Sequence, residues 1–367
     1  MSDAVRLNKA IVSHLLKLLP DMLEDNRLTL AMMITGLLRA RNGQLKKIAR
    51  AVSYAHKKES LVERFRRLVK NGQIVPQVEY NPFVLLSLAA LSQEKLVLMI
   101  DSTKIGGACI CLMVSVYYKS RALPLAWLVY KGKKGHSSQA TQLELFKTVQ
   151  ALLPPTSPVI LVGDGEFDGS EVVTWFKTET TWQYVCRTDQ TNLIWYQEQW
   201  QALQQLPLAP GEEGFLNGVR FTQAHQVGPV NILIVWNAAK KCHWFFVTNF
   251  VTQAEAQKWY RKRFTTETLF ADFKGRGFHL DETGLWIPAR VNRLVMVAAM
   301  AYVFTILLGV ESIISGAFRQ LVRTDAFYHS LFQLGLIYLD HLLNEYLPFP
   351  KLFILPRPDS FEHRLVT

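Results

Sequence analysis

Hydrophobic and polar positions follow different patterns in successive parts of the chain. Up to about residue 75, apolar residues such as Ile11 and Leu15 recur at helical spacing, which predicts a group of helices. From 95 to 187, short apolar runs bounded by turn residues predict strands and helices in alternation. From 188 to 252, aromatic-rich segments such as VNILIVWNA and CHWFFVTNF predict a mostly β region. The remainder, to about residue 345, is again predicted to be helical.

The middle region determines the expected fold class, α/β. The predicted order is strand Lys95–Asp101, strand Ala108–Tyr118, strand Ala122–Val129, helix Ser138–Leu153, strand Val159–Gly163, helix 169–178 and strand Trp182–Arg187. Pro124 assigns the third strand to a sheet edge, because proline has no N–H to pair with a neighbour. Three antiparallel strands followed by a helix and a parallel strand-helix-strand unit is the order of an RNase H-like mixed five-stranded sheet, in which the first and fourth strands are neighbours.

Two acidic residues stand at the ends of buried strands. Asp101 ends the run KLVLMID, and Asp164 ends PVILVGD. On the predicted topology both carboxylates come together at one edge of the sheet. Glu166 and Asp168, in the same DGEFDG segment, are alternatives for the second acid, and the strand-end position favours Asp164.

A polar stripe is predicted on a helix over residues 259–275. Tyr260, Arg263, Glu267 and Lys274 stand at offsets 0, 3, 7 and 14, within about 60° of one another at about 100° per residue. A solvated helix face with an i,i+4 ion pair, worth a few tenths of a kcal/mol, gives the same pattern. Together with the two strand-end acids, however, Glu267 completes the three carboxylates that two-metal phosphoryl transfer requires.

These residues carry a resemblance to a known family. Asp101, Asp164 and the full pattern Y-x2-R-x3-E-x6-K on the helix resemble the DDE transposases of the insertion-sequence-4 family. The resemblance extends over roughly residues 95–340. It implies an enzyme that cleaves and joins the ends of an insertion element in cut-and-paste transposition.

The resemblance also implies roles for residues. Asp101, Asp164 and Glu267 would be the catalytic acids and would bind Mg²⁺, with Mn²⁺ as a possible substitute. Arg263, Lys274 and Tyr260 would hold DNA phosphates. The implied partners are double-stranded DNA, both terminal inverted repeats and target, and a second copy of the chain in a homodimeric synaptic complex.

A tryptophan in the β-rich insertion is a further expectation from the resemblance. Relatives carry a tryptophan that stacks on a flipped base, on the strand before the Y-R-E-K helix. Here the matching residue is Trp244 in HWFFVTN, sixteen residues before Tyr260, with Trp236 as the second choice. The alternative is an ordinary core aromatic of a strand.

Charge points to a polyanionic partner. The net charge is +11 and the isoelectric point near 9.4, which favours nucleic acid as the partner. Basic residues cluster before residue 75, around a helix-turn-helix-like turn at Asn42-Gly43, and we expect Arg64 and Arg67 to contact DNA. Lys131, Lys133 and Lys134 are expected to touch phosphate. His136 beside them is a general base, a further DNA contact or a loop histidine without a role, and the last two are the commoner interpretations of a histidine near lysines.

Cellular location is inferred from the cysteines and the apolar runs. The four cysteines form no zinc-type spacing, which fits a reducing bacterial cytoplasm, with nucleoid association when DNA is bound. No secretory signal is expected at the N-terminus. Leu294–Val310 is the longest uncharged apolar run, and we expect a buried core helix there and no membrane span.

Three other protein classes compete with the transposase. A structure-specific RNase H-like nuclease would share the acids without needing the full stripe or the insertion. An inactive DNA-binding transposase remnant would fold alike. The hypothesis of a membrane-associated helical protein rests only on the apolar run.

The expected organisation of the chain has six parts. They are a helical DNA-binding domain 1–75, a connector 76–94, the first part of the core 95–187, a β-rich insertion 188–252, the helix carrying Glu267 at 253–285, and a C-terminal helical region 286–367.

Overall fold

A computed structural model of the chain describes residues 2–52, 57–92, 94–135, 137–323, 328–350 and 354–365. Its helices are α1 (Asp3–Leu18), α2 (Glu24–Ala40), α3 (Leu45–Ala51), α4 (Lys58–Lys70), α5 (Pro76–Ala90), α6 (Gln139–Leu152), α7 (Ser170–Glu179), α8 (Gln253–Tyr260), α9 (Phe264–Phe273), α10 (Pro288–Ile314), α11 (Phe318–Leu321) and α12 (Leu331–Asn344). Its strands are β1 (Leu96–Ile105), β2 (Cys109–Tyr118), β3 (Arg121–Lys131), β4 (Val159–Gly163), β5 (Gln183–Thr188), β6 (Leu193–Tyr196), β7 (Gln199–Ala202), β8 (Gly214–Phe221), β9 (Val227–Asn237) and β10 (Cys242–Thr248).

The strands form one mixed sheet in the order β3-β2-β1-β4-β5-β10-β9-β8-β6-β7. β4 runs parallel to both β1 and β5, and the other pairs are antiparallel. The expected α/β class is confirmed, and the first and fourth strands, β1 and β4, are neighbours as expected. The sheet is nevertheless larger than the five strands expected, because β10 pairs with β5, placing Phe245 opposite Thr188. The β-rich insertion therefore extends the same sheet.

Strand β3 lies at one edge of this sheet, as Pro124 predicts. Pro124 faces Ser115 of β2, next to a register shift between Val114 and Ser115. The missing proline N–H is tolerated there because only one side of β3 has a neighbour.

Helix α10 is the central helix of the C-terminal region. Within the described residues it is the one helix long and apolar enough to cross a membrane, but 94% of its most apolar stretch is buried inside the protein. It contacts β3, α2 and α12. The crossing with α12 is close: a Cβ on Gly335 would lie 1.9 Å from the carbonyl oxygen of Thr305. The expectation of a buried core helix at Leu294–Val310 is confirmed.

The N-terminal helices pack against the segment that follows α9. The predicted turn at Asn42-Gly43 separates α2 from α3. Asn42 Nδ2 donates a hydrogen bond to Glu282 Oε2 at 3.2 Å, and a Cβ on Gly43 would lie 2.9 Å from the Leu280 side chain. This turn thus contacts the chain just beyond the helix that bears Glu267.

Candidate active site

The two strand-end aspartates lie next to each other. The parallel pairing of β1 with β4 ends at Ile100 opposite Gly163, so the next residue on each strand, Asp101 and Asp164, occupies the same level. β1 itself continues beside β2 as far as Ile105. Asp101 is therefore not at the end of its strand, as the sequence suggested, but at the end of its pairing with β4.

Asp101 is buried beside a second negative charge. Its side chain is among the buried polar groups, at 4% exposure. Burial and the charge of Asp164 raise the pKa of Asp101 to about 6, although Lys134, Arg263 and the backbone N–H of Ser102 act in the opposite direction. Burial together with the neighbouring carboxylate therefore outweighs the positive groups and disfavours the charged form of Asp101.

The predicted helix over residues 259–275 consists of α8, a 3₁₀ turn at Arg261–Arg263 and α9, together called the Glu267 helix below. Arg263, 8% exposed, contacts two acids from this turn: Nη1 lies 3.7 Å from Asp101 Oδ2, and Nη2 lies 2.6 Å from Glu267 Oε1. The Glu267 side chain is 54% exposed. The guanidinium therefore stands between Asp101 and Glu267, and its contact with Asp101 links the Glu267 helix to β1.

The other two stripe residues also face this region. Tyr260 is buried, and its ring packs edge-on against Phe246 at 4.4 Å. Burial raises the pKa of Tyr260 to about 12, although Arg263 and Arg187 lower it, so its hydroxyl stays protonated at neutral pH and can donate a hydrogen bond. Lys274 follows the last residue of α9.

Two lysines, Lys134 and Lys274, lie near Asp101. Burial and the charge of Lys134 lower the pKa of Lys274, whereas Asp281 and Asp101 act in the opposite direction. Lys134 therefore lies close enough to influence both Asp101 and Lys274. Lys131 and Lys133 are exposed in the same segment as Lys134, and His136 lies outside the described residues.

Trp244 lines an open cavity of about 360 Å³ beside Asp164. It is half-buried on β10, and the Arg187 guanidinium lies over its ring at 4.3 Å. Its indole Nε1 is buried and has no hydrogen-bond partner within the described part of the chain. Trp236 packs instead against His243 at 4.9 Å and does not line this cavity. The geometry thus favours Trp244 over the second choice.

The two alternative acids are held by neighbouring side chains. Asp168 accepts a hydrogen bond from Asn192 Nδ2 at 3.1 Å, and burial raises its pKa. Glu166 accepts hydrogen bonds from the hydroxyls of Ser102 and Ser137. The carboxylates of Asp168 and Glu166 therefore both have hydrogen-bond partners of their own.

The N-terminal candidates are not brought to this site. Arg64 pairs with Asp25 and donates to Thr29 Oγ1 at 2.7 Å, so α2 already holds its guanidinium. Arg67 is exposed in a neighbouring cleft. A second cleft, between α3 and α4, was not predicted from the sequence, although its four basic residues belong to the same basic clusters. It is lined by Lys46, Arg50, Lys58, Glu59, Val62, Glu63 and Arg66.

A divalent metal ion fits the acid pair. Asp101 and Asp164 supply carboxylate oxygens, the hard ligands that Mg²⁺ prefers, and the register of β1 with β4 brings the two negative charges together, where such an ion would balance them. Within the described residues, no group of three or more His, Cys, Asp or Glu side chains is close enough to hold an ion. Arg263 stands between Glu267 and Asp101.

Comparison with known proteins identifies the class. Residues 93–304, more than half of the chain, match the family described as the transposase DDE domain. The chain therefore belongs to this family and is a DDE transposase. No curated protein sequence matches it. Among solved structures it is similar to one described as the cryo-EM structure of a piggyBac transposase synaptic complex with hairpin DNA, with a TM-score of 0.46 and 13% identity, over 94% of this chain and 80% of that one.

Proposed function

We propose that this protein is a transposase of the insertion-sequence-4 family, with an RNase H-like core formed by β1 to β5. In this proposal it cleaves the terminal inverted repeats of an insertion element and joins them to target DNA, in cut-and-paste fashion. The observation that carries the proposal is that Asp101, Asp164 and the Glu267 helix meet where the pairing of β1 with β4 ends. Membership of the DDE family supports it.

The three acids are assigned as catalytic residues and ligands of Mg²⁺, for which Mn²⁺ would substitute. When bound, two such ions supply activation of the attacking oxygen and stabilisation of the leaving oxygen. Asp101 and Asp164 form the preassembled part of this site. Glu267 is held by Arg263 at 2.6 Å, and it becomes available when that guanidinium turns to a DNA phosphate.

The basic side chains are assigned to the DNA backbone. Arg263 binds phosphate with two donors, and Lys274 binds it as a point charge. The hydroxyl of Tyr260 donates to a phosphate oxygen. Trp244 offers a ring face in a cavity open enough to receive an extruded base, and stacking there is worth about 1–3 kcal/mol. The exposed lysines that follow β3 extend the positive surface.

The remaining regions take supporting roles in this proposal. Residues 1–75 bind end DNA and 76–94 connect them to the core. Residues 188–252 hold the DNA end beside the core of 95–187 and 253–285. Residues 286–367 help to pair two copies across two DNA ends, in the bacterial cytoplasm.

Substitution of the acids tests the proposal. The substrate is DNA carrying the imperfect inverted repeats expected to flank this gene. Asp101→Asn, Asp164→Asn and Glu267→Gln are expected to abolish cleavage in Mg²⁺ while leaving binding to the DNA ends largely intact. Glu144→Gln, on the exposed face of α6, is the matched control and should cleave normally.

Cleavage by purified Glu267→Gln would overturn the assignment of the third acid. A wild-type protein that cuts branched or looped DNA regardless of the repeat sequence, and never joins ends, would be a structure-specific nuclease. Binding without any cleavage by the wild type would indicate an inactive remnant.

A further inference from the structure

Glu166 stands two residues beyond Asp164 and has both carboxylate oxygens occupied. The backbone N–H of Ser137 donates to Oε1 at 2.7 Å, and the Ser137 hydroxyl contacts the same oxygen. The Ser102 hydroxyl donates to Oε2 at 3.1 Å. Glu166 thus joins two segments, β1 and the turn before α6, that are 35 residues apart in sequence.

The same residue contacts the immediate surroundings of both strand-end acids. The backbone N–H of Glu166 donates to Asp164 Oδ1 at 3.2 Å. Ser102 is fully buried, and its backbone N–H donates to Asp101 Oδ1 at 2.7 Å. Glu166 is therefore linked to Asp164 by its backbone N–H, and its carboxylate is linked to Asp101 through Ser102.

On its other side, Glu166 holds the segment that carries the lysines. Gln142 of α6, 1% exposed, reinforces this attachment by donating to the carbonyl oxygens of Glu166 at 2.9 Å and of Ser137 at 3.2 Å. The exposed stretch Lys131–Gly135, called the lysine loop below, runs from the last residue of β3 toward this attachment point.

Lys134 stands close to this attachment point. It precedes Ser137 by three residues, and Ser137 is bonded to Glu166, whose backbone N–H donates to Asp164. An exposed lysine on an unsupported loop would lose this placement to conformational freedom. A loop fixed at its far end by a buried glutamine and a doubly bonded glutamate retains it.

We propose that Glu166 is a positioning residue that fixes the lysine loop beside Asp101 and Asp164, so that Lys134 meets a phosphate of the bound DNA end. Its oxygens are engaged by serine donors, so it is not an additional metal ligand. This inference rests on the proposed DNA-cleaving function, and it assigns to Glu166 an action exerted through Lys134.

A double-mutant comparison tests this coupling. The variants are Glu166→Ala, Glu166→Gln, Lys134→Ala and the double Glu166→Ala/Lys134→Ala. Binding to end DNA is measured at several salt concentrations in EDTA, so that no metal ion takes part. Loss of one phosphate contact lowers the slope of log affinity against log salt by about 1.

We expect Glu166→Ala and Lys134→Ala each to lower this slope by about 1, and the double variant to lower it by about 1 as well, because both changes remove one contact. Glu166→Gln should keep the wild-type slope. Its amide oxygen still accepts from Ser137, and its amide nitrogen can donate to the Ser102 hydroxyl. The Glu166→Gln and Glu166→Ala variants have the same charge, so the difference between their salt slopes measures the effect of the hydrogen bonds alone.

Three results would overturn the inference. The first is a double variant whose slope falls by about 2, because Glu166 would then act independently of Lys134. The second is an unchanged slope in Glu166→Ala. The third is loss of Mg²⁺-dependent cleavage in Glu166→Gln with an unchanged slope, which would make Glu166 a metal ligand. Failure of the proposed function is separate: the wild type itself would then neither bind nor cleave end DNA.

Discussion

Asp272 ties the Glu267 helix to the edge strand β3, and its charge is expected to cost stability at neutral pH. It is 3% exposed, and Arg121 Nη1 lies 3.2 Å from its Oδ2. Burial raises the pKa of Asp272 to about 6 even though Arg121 and Arg276 lower it. The desolvation of the carboxylate therefore outweighs its ion pair, as is common for buried pairs.

The sign and size of the effect follow from linkage. In the unfolded chain the carboxyl titrates near 3.9, so between about pH 4 and pH 6 the folded protein binds this proton more tightly. The contribution of Asp272 to stability is thus full below about pH 4 and is lost as pH rises to 6. At about 1.4 kcal/mol per pKa unit, the loss is at most about 3 kcal/mol.

Asp272→Asn isolates the stability cost of the buried charge. Asparagine keeps an oxygen that accepts from Arg121 but carries no charge to desolvate. We expect this variant to match the wild type near pH 4 and to exceed it at pH 7.5 by up to about 3 kcal/mol, or roughly 6 °C in Tm at about 2 °C per kcal/mol. Asp272→Ala leaves Arg121 buried without its acceptor, and it should melt below the wild type at both pH values.

Thermal melts at pH 4, 5, 6 and 7.5 measure the difference, with Asp340→Asn as the control. Asp340 pairs with Arg41 at 2.5 Å, but these side chains are 55% and 44% exposed, and such surface pairs contribute about 0–1 kcal/mol. If Asp272→Asn matches the wild type at pH 4 yet melts below it at pH 7.5, then Arg121 outweighs desolvation and the reasoning is wrong.

Two further predictions concern DNA. Trp244→Ala should nick the first strand normally but form or resolve hairpins about 5–150-fold more slowly, the equivalent of about 1–3 kcal/mol of stacking; an abasic site at the flipped position should partly restore the rate. If Trp244→Ala instead slows first-strand nicking and the hairpin step equally and also lowers the Tm, Trp244 is an ordinary core aromatic and the base-stacking role is refuted. Lys46→Ala or Arg50→Ala, in the α3–α4 cleft, should reduce the salt slope of DNA binding by about 1. Arg64→Ala should not, because Asp25 and Thr29 hold that guanidinium; an equal reduction in Arg64→Ala would refute this assignment.

Local patterns in the sequence predict the elements of the core well. Apolar runs bounded by turns predict β1 to β5, and Val159–Gly163 is found with the predicted bounds. Pro124 predicts the edge position of β3. Both follow from the chemistry of single residues and their immediate neighbours.

Contacts between distant segments could not be predicted in this way. The pairing of β10 with β5 joins segments about 60 residues apart, and no pattern within either strand specifies its neighbour. The helical wheel likewise places Asp272 away from the polar stripe but does not reveal that Asp272 is buried and pairs with Arg121. Arg64 resembles its basic neighbours in sequence, and only the position of α2 shows that it is already paired.

The central claim is that Asp101, Asp164 and Glu267 perform DNA cleavage and joining at the ends of an element. The most direct measurement incubates wild-type protein and Glu267→Gln with labelled end DNA, a target plasmid and Mg²⁺, and sequences the joined products. We predict that the wild type joins the 3′ ends of the element to the target with a fixed stagger between strands, and that Glu267→Gln binds the ends without cutting or joining them. Joined products from Glu267→Gln, or cutting without joining by the wild type, would contradict the claim.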